Sequence, residues 1–327
     1  MTFAGIGSSV ALRSARRPGL TRLLALLPVA AAIGATAVPA HAGVTFTTTF
    51  DANYNATAQA TIASALAEYG ALFTDNVNVS LKFTSSGAGL GSTGTYSFAR
   101  SYADFYAALV ADGTSAADAT ALARLAVDGA GANNPVNGTG QIVQGRAGWA
   151  AIGINIDTSG IANYFDGEID LNLALMNLDR ITVDPAKYDL KGVLQHEVNE
   201  VLGSISNLGQ TDPRVVDLFR YDAAGNRTFT TAGDDAYFSI DGTTQLARYN
   251  QDAGGDYGDF WSVNGGQTPQ VQDAFATPGA TVDMGVEVTL LDVIGWTRAT
   301  QNNVPEPGSL ALVGIALLGF AARRRKA

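Results

Sequence analysis

Alternation of apolar and polar positions marks residues 44–50 and 76–84 as strands, and in NVNVSLKFT the side chains of Val77, Val79, Leu81 and Phe83 share one face. Residues 56–73 carry helical periodicity that ends near Asp75. Residues 101–111 and 115–127 predict two short amphipathic helices, each opening on a capping serine. Residues 130–148 are rich in Gly and Asn and predict a loop. GEIDLNLALM, residues 167–176, alternates again and points Ile169, Leu171, Leu173 and Leu175 the same way. A helix is predicted over 189–202, closed by Gly203 as its C-cap. Hairpin-like segments at 217–230 and 236–248 follow, and a last helix over 285–294 ends at Gly295-Trp296. The order of elements is that of an α+β chain without internal repeats.

The two ends break this pattern. Arg13, Arg16, Arg17 and Arg22 precede an apolar run at 23–38 and the small-x-small site Ala40-His41-Ala42, so residues 1–42 predict a secretory signal cleaved after Ala42. At the other end Val304-Pro305-Glu306-Pro307 leads into an apolar stretch at 309–322 and then Arg323-Arg324-Arg325-Lys326. That stretch is shorter than the roughly 20 residues a membrane-spanning helix needs, and its basic flank favours the cytoplasmic side. The three parts in this order resemble the PEP-CTERM sorting signal. The resemblance implies recognition by an exosortase-type sorting enzyme, export through the general secretory route, transient inner-membrane anchoring, then cleavage near Pro305 and release to the cell surface or extracellular matrix. Residues 1–42, 43–304 and 305–327 are thus expected to be signal, folded domain and sorting or membrane segment.

Composition narrows the chemistry. The chain has 327 residues, no cysteine and a formal charge of −10. Eight basic residues and one acid fall in the terminal segments, which leaves residues 43–304 near −17. Such a balance argues against nucleic acid as a partner, and the absence of Cys excludes disulfides, thiolate metal sites and thiol catalysis. The many Asp and Asn on turns offer oxygen ligands suited to calcium, although no EF-hand or nonapeptide repeat is present. Of two histidines, His41 leaves with the signal, so His196 alone can supply an imidazole.

His196 lies in LQHEVNEVLG. His196 and Glu200 are four residues apart on one helix face, where both can ligate one ion, and Glu197 is about 100° round the helix, placed to take a proton from water. The arrangement is that of the zinc-protease HExxH helix with glutamate for the second histidine; carboxylate is an acceptable zinc ligand. A triad reading has only His196 to use and lacks a G-x-S-x-G elbow. GAGLG at 87–91 lacks the setting of a phosphate loop and predicts a turn, and the aromatics at 102–106 and 257–261 fit core positions or sugar stacking.

The succession NVNVSLKF, GEIDLNLAL, HEVNEVLG resembles the catalytic region of metzincin-type zinc peptidases. The resemblance implies a metzincin-like twisted sheet with an active-site helix, followed by a hairpin-rich C-terminal subdomain. It also implies that GEIDLNLAL is the edge strand that pairs with extended substrate. Together with VDLFRYDAAGNR, YFSIDGTTQLARYN, GDYGDFW and LLDVIGW, these motifs resemble a family of PEP-CTERM-sorted proteins described as metalloproteases, over roughly residues 166–297. The extended pattern HExxHxxGxxH falls on His196, Glu197, Glu200, Gly203 and Ser206, so two of three histidine ligands are replaced. The third ligand is left open among Ser206, Asp212 and Asp217, and Met284 is placed either beneath the ion as a Met-turn or in the core. Extra anionic ligands weaken a metal's effect on its water, which implies slow hydrolysis, hydrolysis at higher pH, or a purely structural ion. Two functions follow from the sequence. One is a secreted zinc metallopeptidase acting on peptides or proteins with Glu197 as base. The other is a non-catalytic matrix or surface protein with an inactive or structural metal site.

Overall fold

The first strand, β1 (Thr45–Phe50), runs parallel to β2 (Asn78–Thr84), and α1 (Ala56–Leu72) crosses between them. The computed structural model describes residues 43–129, 131–231, 235–262 and 267–299; the predicted signal and sorting segments lie outside the described residues. Asn55 starts α1 by accepting the Ala58 N–H on its side chain, which satisfies an otherwise orphaned donor. On β2, Val79, Leu81 and Phe83 are fully buried, as the alternation predicts, and Phe83 stacks on Phe50 of β1 at 5.0 Å.

The sheet is completed by two strands from different parts of the chain: β3 (Gly91–Gly94) and, further on, β6 (Gly167–Leu171). Between them lie β4 (Phe98–Ser101), α2 (Tyr102–Asp112), α3 (Ala116–Val127), β5 (Gln141–Gln144) and α4 (Arg146–Ala151). Ser101 and Ser115 cap α2 and α3 as expected, Ser115 within a full capping box. The predicted loop at 130–148 is corrected by β5, which pairs antiparallel with β4, and by α4, whose Trp149 is fully buried. Buried Ile142 and Trp149 order this segment by packing, against its high Gly and Asn content.

Strand order is β1-β2-β6-β3. The expectation that GEIDLNLAL forms the edge strand is therefore corrected: β6 is interior, parallel to β2 on one side and antiparallel to β3 on the other. It ends at Leu171, and Leu173 and Leu175 turn off in a 3-10 helix, with Leu175 exposed. The edge is β3, at the end of the glycine run predicted as a turn. Only the start of that run turns, at Gly87 (φ 78°) and Gly89 (φ 62°).

The chain then forms β7 (Met176–Asn177) and β8 (Tyr188–Asp189), a short parallel pair, and enters α5 (Leu190–Asn199) with Asp189 as N-cap. The helix widens into a π turn at Glu200–Ser204 and stops at Gly203, whose φ of 129° lies in the region that favours glycine. Beyond it, β9 (Arg220–Tyr221), β10 (Tyr237–Phe238) and β11 (Ala247–Arg248) form a small antiparallel sheet, and α6 (Val286–Val293) ends at Gly295 and buried Trp296. The architecture is mixed α/β, with several sheets and six α-helices among the described residues. None of these helices is long and apolar enough to cross a membrane.

Each four-residue stripe of α5 and its π turn meets a different neighbour. Leu194, Val198 and Leu202 are buried in the core. Lys191, Gln195 and Asn199 face α1: Lys191 pairs with Glu68 at 2.7 Å, Gln195 donates to Glu68 at 2.9 Å, and the Tyr69 hydroxyl reaches Asn199 Oδ1 at 2.8 Å and Gln195 O at 3.0 Å. Val193, Glu197 and Val201 face the sheet, where two glycines admit them. A Cβ at Gly91 would stand 2.3 Å from Glu197 Oε1, and one at Gly167 would stand 2.3 Å from Val201 Cγ2. Gly192, His196 and Glu200 are left to face outward. The Tyr69 hydroxyl is the buried polar tie between α1 and α5. Tyr69→Phe leaves two buried acceptors without that donor and lowers unfolding free energy by about 1–3 kcal/mol, read from the denaturation midpoint at unchanged slope.

Candidate metal centre

On the outward stripe, Nε2 of His196 lies 3.8 Å from Glu200 Oε1. A third group comes from far along the chain: Asp259 places Oδ1 3.5 Å from the same nitrogen. One donor atom from each of His196, Glu200 and Asp259 lies within 4.8 Å of the others, and no other His, Asp or Glu trio among the described residues does so.

Two of the three donors, His196 and Asp259, are held from behind. Nδ1 of His196 is 3.0 Å from the Val271 carbonyl, which can only accept, so Nδ1 carries the proton and Nε2 faces the carboxylates. Gln272 donates its amide to Asp259 Oδ1 at 3.0 Å and accepts from Asn199 Nδ2 at 3.2 Å. Asn199 in turn accepts from Tyr69, so a chain of buried side chains runs from α1 to Asp259. The segments carrying Asp259 and Val271 are tied to each other by Phe260 N–H donating to Gln272 O at 2.7 Å. Further along the chain from Val271, Asp283 accepts from Lys191 of α5 at 2.8 Å.

Glu197 lies beside the trio. Thr93 of β3 donates its hydroxyl to Glu197 Oε2 at 2.7 Å. All four residues line a cleft of about 300 Å³ bounded by β3, α5 and the segments around 254–259 and 269–282. Acids line it (Glu197, Glu200, Asp256, Asp259 and Asp273 among them), and no Lys or Arg does.

This charge is expensive to bury. Burial pushes the Asp259 carboxyl up to about 6 and the Glu200 carboxyl well above its usual range. Glu197 is raised as well, chiefly by burial, with His196 and the Thr93 hydroxyl opposing. For His196, burial favours the neutral ring, but the negative charges of Asp259, Glu197 and Glu200 push its pKa up to about 10. Without metal the cluster therefore binds protons to offset its charge.

The donors fit a tetrahedral dication. Two ligands at zinc bond lengths of 2.0–2.1 Å stand roughly 3.4 Å apart in tetrahedral geometry, close to the 3.5 and 3.8 Å found about His196 Nε2.

The structure brings together His196, Glu197 and Glu200 and leaves out Ser206, Asp212 and Asp217, none of which lines the cleft. Asp217 is buried but saturated, accepting from Ser206 Oγ, Asn207 N and Arg214 N in its own loop. Ser206 spends its proton on Asp217, and Asp212 meets Thr139 and, through its main-chain oxygen, Asn207. Met284 packs half-buried against the core, away from the cleft lining. Asp259 was not singled out as a ligand. It sits in GDYGDFW, a segment conspicuous for its aromatics, of which Phe260 enters the core and Trp261 lies under Arg248 at 4.1 Å.

Comparison with known proteins identifies one feature: residues 303–326 match the PEP-CTERM protein-sorting motif. Exosortase-type enzymes recognise such motifs, which implies export and sorting to the cell surface. No curated protein and no solved structure matches the chain.

The raised pKa values fix a pH response. The folded, metal-free protein binds more protons than the unfolded chain between about 4 and 6 at Asp259 and between 6.5 and about 10 at His196. Both groups make stability fall as pH rises. Thermal melts of metal-free protein lose midpoint temperature from pH 6 to pH 10.

Proposed function

We propose that the protein is an exported zinc peptidase whose ion is held by His196, Glu200 and Asp259, with Glu197 as general base. One observation carries the reading: a half-buried imidazole and two buried carboxylates converge within 4.8 Å beside a third carboxylate, that of Glu197 on α5. The imidazole favours zinc over calcium, which prefers a shell of oxygens. Bound there, zinc supplies Lewis acidity that polarises a carbonyl and brings the pKa of water from 15.7 toward about 7. Glu197 takes a proton on its carboxylate and returns it to the departing amine. The outer side of β3 is unpaired in the sheet and lines the cleft, so an extended peptide can add to it as a further strand. The likeness to metzincin-type peptidases rests on the succession NVNVSLKF, GEIDLNLAL, HEVNEVLG.

Elemental analysis tests the ion. The protein carries about one zinc per chain; His196→Ala removes it, and Asp259→Asn weakens it, whereas Asp217→Asn changes it little. Equal zinc in wild type and the His196 variant eliminates the site.

Hydrolysis tests the base. Glu197→Gln keeps zinc and lowers peptide turnover by roughly 10²–10⁴-fold, measured beside zinc content on one preparation. Stoichiometric zinc with no chelator-sensitive hydrolysis at any pH assigns the centre to a structural role in a surface protein.

A further inference from the structure

We propose that Thr93 and Gly91 of the edge strand are positioning residues for Glu197, holding its carboxylate at two points. The inference rests on the peptidase reading for its consequence in catalysis, and on geometry alone for the clamp.

Strand alternation turns Gly91 and Thr93 toward α5 and leaves Ser92 and Gly94 exposed. The Thr93 hydroxyl stands 2.7 Å from Glu197 Oε2 and 3.1 Å from the Glu197 main-chain oxygen. Oε1 lies over Gly91, 2.3 Å from where a Cβ would stand, and Val193 Cγ1 closes the same spot at 3.0 Å. The two oxygens thus differ: Oε2 is occupied by a hydroxyl, and Oε1 is lodged in space that only a glycine provides. Hydrogen bond and steric slot together hold the carboxylate plane at two points.

The clamp comes from the strand whose other side offers the peptide-pairing edge. Substrate and base are therefore placed by one rigid element, and the register between peptide and carboxylate is set by three consecutive residues.

Glutamate labelled with ¹³C at its carboxyl gives few signals, since the chain has only six glutamates, and the Glu197 signal is assigned by its loss in Glu197→Gln. In zinc-free protein, Thr93→Val moves that signal and Thr93→Ser returns it to the wild-type position. In zinc-loaded protein every variant keeps one zinc per chain. Thr93→Val lowers kcat roughly 10–100-fold with KM little changed, the scale of a misplaced catalytic group, and Thr93→Ser restores it. Gly91→Ala keeps the hydroxyl but fills the slot, and it lowers kcat likewise. An unmoved Glu197 signal in Thr93→Val overturns the clamp, as does wild-type kcat in both Thr93→Val and Gly91→Ala. If wild type hydrolyses nothing, the peptidase reading fails, and the zinc-free spectra still decide whether Thr93 holds Glu197.

Discussion

A helix can lie hard against a sheet only where the strands beneath it lack side chains. Gly91 on β3 and Gly167 on β6 supply those two gaps, and Glu197 and Val201 fill them at a spacing of one helical turn. Everything else about the centre follows from that seating. With Glu197 turned to the sheet, rotation about the axis is fixed, so His196 and Glu200 must face the cleft, and Gln195 and Asn199 must face α1. A side chain at either glycine would displace what fills its gap, the Glu197 carboxylate at Gly91 or the Val201 side chain at Gly167.

Charge is the second constraint. Basic residues near α5 are already engaged: Arg180 pairs with Asp189 and Asp283, and Lys191 pairs with Glu68 and Asp283. These ties fasten the N-terminal end of the helix and the segment that covers it. At the centre itself, three carboxylates share one imidazole. An isolated buried anion costs far more than folding can supply, so such a group must be protonated, paired or metal-bound. The cluster keeps a deficit of positive charge where the backbone is most firmly held, which is the condition a dication relieves.

Much of this frame is legible in the sequence, and the rest is not for physical reasons. His196, Glu197 and Glu200 declare themselves because one helix sets their spacing, and capping serines and alternating strands declare themselves because those signals are local. β3 escapes because four residues of Gly, Ser and Thr carry no hydrophobic pattern; its place is fixed by the antiparallel ladder to β6 and by Glu197 above it. The resemblance then assigns β6 to the edge, because the strand that covers it is silent in the sequence. Asp259 escapes because nothing local distinguishes it among many aspartates. Asp217 shows the converse: it is nearer in sequence to the helix, but its loop satisfies both oxygens.

The buried chain from Tyr69 through Asn199 and Gln272 to Asp259 shows why the third ligand depends on the whole fold. Gln272 stands at its hinge: its amide nitrogen holds Asp259, its amide oxygen meets Asn199, and its main-chain N–H donates to Glu287 of α6 at 3.1 Å. Three elements distant in sequence must therefore dock before Asp259 is aimed at His196. The helix offers two donors as soon as it forms, but a two-donor site grips an ion weakly. Completion of the candidate site comes with docking of residues 256–262 and 267–273 over α5, and any binding energy gained by an ion there would be folding energy for that docking. The same dependence limits what the short helical motif can say by itself: it marks two candidate donors, and the packing of α1, α6 and the covering segment brings the third beside them.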